Sequence, residues 1–101
     1  MTERGALRFL AIHSAAPETW LARLAARGLA AHALPCAGAT LLWHSTVPAH
    51  ATDARVAVLL GHARDATGRV LNSADLIDRA PAHGSFASVI GDAHGLRIRA
   101  N

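Results

Sequence analysis

The chain has 101 residues, 51% of them apolar, with a formal net charge of +3 and one cysteine, which supports a single domain (residues 1–101) with one modest core and no internal disulfide, in a reducing cytosol by default. All ten basic residues are arginine, spread singly, and neither lysine nor tyrosine occurs, a pattern that argues against a phosphate-tracking stripe with base-stacking aromatics, so no nucleic-acid partner is expected. No apolar run reaches the roughly 18 residues that a membrane helix needs, and Met1 to Gly5 carries an acid and leads into only a short apolar run before His13, unlike a secretory leader; a cytoplasmic location without membrane attachment is expected.

Ala6 to Ile12 is short, apolar and bounded by Gly5 and His13-Ser14, which fits a strand buried on most of its surface. Pro17 suits the first turn of a helix in which Trp20, Leu21, Leu24 and Ala25 recur at helical spacing, and Gly28 ends it. Leu29 to Leu34 fits either an extension of that helix or a short strand, with Pro35 closing both. Ala39 to Thr46 favours a strand through Thr40, Leu41, Leu42 and Trp43. Ala49 to Asp53 is a polar, alanine-rich connection. Arg55 to His62 is the strongest strand signal, continuous, rich in valine and leucine and nearly without polar atoms, and predicts a central strand. Asp65 to Gly68 supplies turn chemistry, Arg69 to Leu71 a short extended piece, and Ser73 a cap for a helix through Arg79 that Pro81 breaks. The last part is a hairpin: an arm from His83 to Ile90, a five-residue loop Gly91-Asp92-Ala93-His94-Gly95, and a return strand alternating Leu96, Ile98 and Ala100 with Arg97 and Arg99. This order predicts an α+β fold, a small, mostly antiparallel sheet or a two-sheet sandwich with flanking helices.

Few residues invite chemistry. Of the seven histidines, the closest pair, His44 and His50, is six residues apart, so no pair has the spacing of helical metal ligands, and there is no Cys-x-x-Cys. Surface histidines are the plain reading. Cys36 beside Pro35 is either a nucleophile with a spatially adjacent histidine or a small core hydrophobe, and the second is the more common state. Ser85 lacks the flanking glycines of a nucleophile elbow, Gly91 and Gly95 are spaced wrongly for a dinucleotide loop, and Trp20 reads as core.

A family resemblance adds to this. Arg8 to Ile12 resembles the opening strand of class II glutamine amidotransferase domains, the Ntn-hydrolase-fold modules that open asparagine synthetases and lasso-peptide cyclases. Pro17 to Gly28 resembles their first helix, Ala39 to His44 and Val58 to His62 the two following strands, Ser73-Ala74-Asp75-Leu76 the acidic helix start, and Gly84-Ser85-Phe86-Ala87 the Gly-x-Phe-Ala strand. The resemblance covers nearly the whole chain and implies a truncated Ntn-hydrolase architecture. It also implies substrate-binding roles for Gly61, whose backbone donor matches the glycine of the family's oxyanion-hole Asn-Gly, and for Asp75, which matches the acid that grips a substrate amine. In the first turn of its helix, Asp75 is also simply a favourable charge at the helix start, and that is the commoner state.

The departures are as informative. The family's nucleophile is an N-terminal cysteine activated by its own amine, and the matching place near Phe9 holds no thiol or hydroxyl. Leu60 replaces the Asn of Asn-Gly. Thr2, exposed if Met1 is removed, lies short of the strand mouth. The closing Arg-Asp of the family matches Ala100-Asn101. No catalytic residue and no metal ligand are expected, and no cofactor in this chain; the resemblance places ATP and magnesium in a ligase domain or partner, since the Ser-Gly-Gly-x-Asp loop is missing here. The expectation is a non-catalytic domain that scaffolds a synthetase domain or subunit, or its precursor peptide. The alternative is a stand-alone α+β binding or regulatory module that associates with further copies through sheet edges, and a third is a hydrolase using Thr2 or Cys36.

Overall fold

A computed structural model of the protein describes residues 8–100. Ala6 and Leu7 of the first expected strand, the candidate Thr2 and the final Asn101 lie outside the described residues. The elements run β1 (Phe9–Ser14), α1 (Pro17–Ala26), β2 (His32–Cys36), β3 (Ala39–Ser45), β4 (Ala49–Ala51), β5 (Val56–Arg64), a short 3₁₀-helix (Ser73–Ile77), β6 (His83–Asp92) and β7 (Gly95–Ala100). The strands form two antiparallel sheets, ordered β1-β3-β2 and β4-β5-β6-β7. The fold is α+β with antiparallel pairing throughout the described residues.

The sheets meet through a shared apolar cluster. Leu34, Cys36, Leu41 and Trp43 from the first sheet bury against Val56 and Val58 from the second, with Phe9, Ala11, Leu60 and Leu96 at the margin. Fully burying side chains of this size stabilises by about 1.5–3 kcal/mol each. Alternation sends Leu42, also fully buried, to the opposite face of β3. On that strand lies α1, whose buried residue is Leu24.

Sequence and structure agree on how α1 starts and stops. Pro17 occupies the first turn, where its missing N–H is no loss. At the other end Gly28 adopts φ +75°, its N–H donates to Ala25 O, and Leu29 N–H donates to Leu24 O. These paired bonds close the helix as a Schellman motif.

β5 is apolar on both faces and is covered on both. Val56, Val58 and Leu60 face the first sheet, while Leu59 and Ala63 pack with Leu71 and Phe86 on the outside. Its ladder edge away from β6 is covered piecemeal. β4 pairs only with Val56 to Val58; beyond it Ser73 Oγ accepts the Leu59 N–H and donates to Pro48 O, and Leu71 N–H donates to Ala63 O.

Several expectations need correction. The C-terminal hairpin has a two-residue loop, because Asp92 and Gly95 pair and the strands extend to them. Asp92 Oδ1 accepts the His94 N–H, and this side-chain turn replaces the longer loop. Residues His32–Cys36 form a strand, and Pro35 lies within it rather than ending it; β2 is an edge strand, where proline is tolerated. The turn from β2 to β3 places Ala37 at φ 50° and Gly38 at φ 79°, the two left-handed residues of a type I′ hairpin. The connection after Pro48 contains β4. The helix after Leu71 is a 3₁₀-helix capped by Asn72, with Ser73 one residue inside it, buried and turned towards β5. Trp20 is half-buried rather than core, and Arg23 lies over its ring at 5.0 Å.

Glycines allow two backbones to approach where β5 meets β6. Gly61 (φ +91°) faces the Ser85 carbonyl, and Gly84 (φ +118°) faces the His62 carbonyl. A Cβ at Gly61 would run into that backbone, whereas one at Gly28 would meet open space. Gly61→Ala should therefore destabilise by about 3 kcal/mol, from left-handed strain plus overlap, and Gly28→Ala by about 1 kcal/mol, from strain alone. Equal losses in urea unfolding would contradict the close approach. Ala37→Gly removes a strained residue and should stabilise by about 1 kcal/mol in the same measurement.

Candidate functional site

Cys36, the one thiol, is 1% exposed and packs among Leu34, Leu41, Trp43, Val56 and Val58. A histidine is close by, but His13 Nε2 donates to the Cys36 carbonyl oxygen at 2.7 Å, which ties β1 to the β2 end rather than activating sulfur. Of the two states considered for this cysteine, the structure places it in the core one. Other histidines are also tied to the framework: His44 Nδ1 bonds Ala30 O at 2.8 Å, and His32 stacks on Trp43 with ring centres 4.5 Å apart. These bonds attach the segment after α1 and the edge strand β2 to β3, a role the histidine spacing did not reveal. Among the described residues, no group of three or more His, Cys, Asp or Glu side chains is placed to hold a metal ion.

Gly61 and Asp75 occupy structural positions. Gly61 sits in the middle of β5 opposite Phe86. The Asp75 carboxylate accepts the Asn72 N–H at 2.9 Å while Asn72 Oδ1 accepts the Asp75 N–H at 3.1 Å, a reciprocal capping box at the start of the 3₁₀-helix. Neither residue lines the groove described below.

Two carboxylates that sequence reasoning treated as turn residues are buried and organise their surroundings. Asp65, 7% exposed, accepts from Thr67 Oγ1 at 2.6 Å, Thr67 N–H at 2.9 Å and Arg69 N–H at 3.0 Å, and its other oxygen receives Arg79 at 3.3 Å. Asp92 accepts from the His94 N–H and from Arg97 at 3.1 Å. Both carboxylates hold their own turns together, and each also receives one arginine.

The remaining feature is the far end of the second sheet. β7 is its last strand, and among the described residues nothing pairs with its outer side. Leu96 reaches the shared core, but Ile98, on the same face, extends beyond it and is 67% exposed. On the other face, Arg97 and Arg99, with Ile98 between them also reaching its rim, border an open groove of about 430 Å³ lined as well by Ser88, Ile90 and the 76–81 segment. The other sheet ends differ: β2 carries Pro35, β4 is three residues long, and the β1 side chains Phe9 to Ile12 are half-buried.

In comparison with known proteins, the chain matches no family model, no curated protein and no solved structure.

The Asp65 carboxyl is lowered from 3.8 to about 2, first by the Thr67 hydroxyl and then by the Arg69 N–H, against the opposing effect of burial. Because the folded state favours the ionised form, this stabilisation is complete above the unfolded value of 3.8 and is lost as the pH falls through about 2. Thermal unfolding of the wild type should weaken over that window more steeply than that of Asp65→Asn. Parallel curves for the two proteins would show that the loop does not depend on this charge.

Proposed function

We propose that this chain is a non-catalytic amidotransferase-like domain of an asparagine synthetase-like, ATP-dependent amide ligase, such as a lasso-peptide cyclase, and that it scaffolds the synthetase part or its peptide substrate. The observation that carries the binding role is the unpaired outer side of β7, with Ile98 exposed on one face and two arginines on the other. A strand end of this kind presents backbone donors and acceptors ready for another strand. The non-catalytic part draws support from the thiol packed in the core and from the two buried carboxylates committed to turns. The amidotransferase part is supported by the order of elements and by Gly84-Ser85-Phe86-Ala87 lying in β6 beside the long apolar strand. On this reading ATP and magnesium act in the ligase domain or partner, and Gly61 and Asp75 are the positions that match the family's substrate-binding residues.

An unpaired strand side is also compatible with a second reading, a stand-alone α+β binding or regulatory module that associates through its sheet edges, against which stand the like charges that Arg97 and Arg99 would bring together in a β7–β7 pair. Genomic context separates the two: the first expects the reading frame or an adjoining gene to encode an ATP-binding ligase domain.

The isolated chain should release no ammonia from glutamine above background. Turnover that disappears in Thr2→Ala or Cys36→Ala would overturn the non-catalytic reading.

A further inference from the structure

β7 carries a pattern that discriminates among strands. Residues directly opposite in an antiparallel pair share a face, and like charges placed there repel. Arg97 pairs with Ile90 and Arg99 with Ser88, so both arginines lie on the outer face, whereas Ile98, opposite Val89, lies on the inner one. An incoming strand therefore meets cationic side chains on one face and apolar surface on the other.

The arginines are available. Arg97 bonds Asp92 through Nη2 only, and its side chain remains 64% exposed. Arg99 is exposed and lines the groove with Arg97 and Arg79, facing one acid, Asp78, on the far wall.

A second copy of the chain is a poor occupant. Antiparallel pairing of β7 with itself that keeps faces matched sets Arg97 against Arg97 of the copy, or Arg97 against Arg99, in its longest registers. Either arrangement places like charges directly opposite. A basic peptide fails for the same reason. A strand with carboxylates on the outer face would instead form charge-assisted bonds with both guanidinium groups, and apolar residues on its inner face would cover Ile98.

We infer that the outer edge of β7 accepts an extended peptide segment in which acidic and apolar residues alternate, read by Arg97 and Arg99 on one face and by Ile98 on the other. The inference deepens the binding role proposed above by naming the chemistry of the bound segment. Backbone pairing supplies the docking geometry, the arginines choose charge, and the overhang at Ile98 sets which residues of the ligand face inward.

The test uses the full chain, isotopically labelled, titrated with a capped peptide alternating Glu and Val and followed by the backbone amides of β7. Controls are a Lys and Val peptide of equal length and a Glu and Val peptide N-methylated at alternate residues. The Glu peptide should perturb the amides of residues 95–100, with binding that weakens as salt is raised; both controls should fail. Arg99→Glu should weaken binding about tenfold, the scale of one charge-assisted hydrogen bond, and Ile98→Lys should weaken it too, with unchanged circular dichroism in each variant. Equal binding of the Lys peptide, or binding that leaves β7 unperturbed, would overturn the inference. So would a peptide-free dimer with protected β7 amides. Failure here leaves the ammonia and genomic tests of the previous section unaffected, so the two proposals fall separately.

Discussion

Everything in this fold follows from β5 having no polar face. Val56 and Val58 need apolar cover on one side and Leu59 and Ala63 on the other, and no single sheet supplies both. The first sheet meets one demand by packing Leu41, Trp43 and Cys36 onto the valines. The other demand falls on Leu71 and Phe86, brought in by the loop after β5 and by β6. Because β5 also carries a ladder edge that β4 is too short to fill, the loop must return close enough for Ser73 and Leu71 to bond it. A small set of apolar side chains thus dictates a second sheet, a folded-back loop and the placement of a 3₁₀-helix.

Close packing of the sheets is set where side chains are missing. Gly91 lies opposite Leu41, and a Cβ there would meet the leucine's Cδ2, so the leucine occupies space that any other residue would claim. Nearby, the Ala37 N–H donates to Ala93 O at 2.8 Å, joining the β2–β3 turn to the β6–β7 turn. This contact between two hairpin ends accompanies the left-handed backbone of Ala37, a residue type that rarely occupies it. The left-handed alanine is held where the sheets are registered against each other, and the surrounding packing sustains it.

Polar groups are distributed by a similar economy. The buried carboxylates shape loops, His13 and His44 fasten strand ends and connections, and among the described residues no buried side-chain nitrogen or oxygen lacks a partner. The proposed recognition of a strand draws instead on backbone at β7, together with the arginines and the isoleucine flanking it. Recognition of a strand by a strand needs no concave catalytic pocket, which fits a molecule whose thiol is in its core.

The sequence by itself determined the elements whose signals are local. Pro17 and Gly28 bound α1, the unbroken run from Val56 identified the strand needing cover on both faces, and the alternation from Leu96 to Ala100 marked the return strand. The thiol's burial was also legible as the commoner state of an isolated cysteine. Other features depend on partners distant in the chain. His32 to Cys36 becomes a strand because β3 offers a ladder, overriding the helix-forming alanines and the proline; the hairpin loop shortens because the Asp92 carboxylate caps its own turn. Asn72 rather than Ser73 caps the 3₁₀-helix because Ser73 is drawn to Leu59 and Pro48. Only tertiary structure decided that Gly61 serves a close backbone approach and that the Asp75 carboxylate closes a capping box, since neither fact exists until β6 and Asn72 are in place. It also decided that Ile98 overhangs the core while Leu96 does not. The two residues share one face of one strand, yet only Leu96 packs against the shared cluster, a long-range difference that no local pattern of residues encodes.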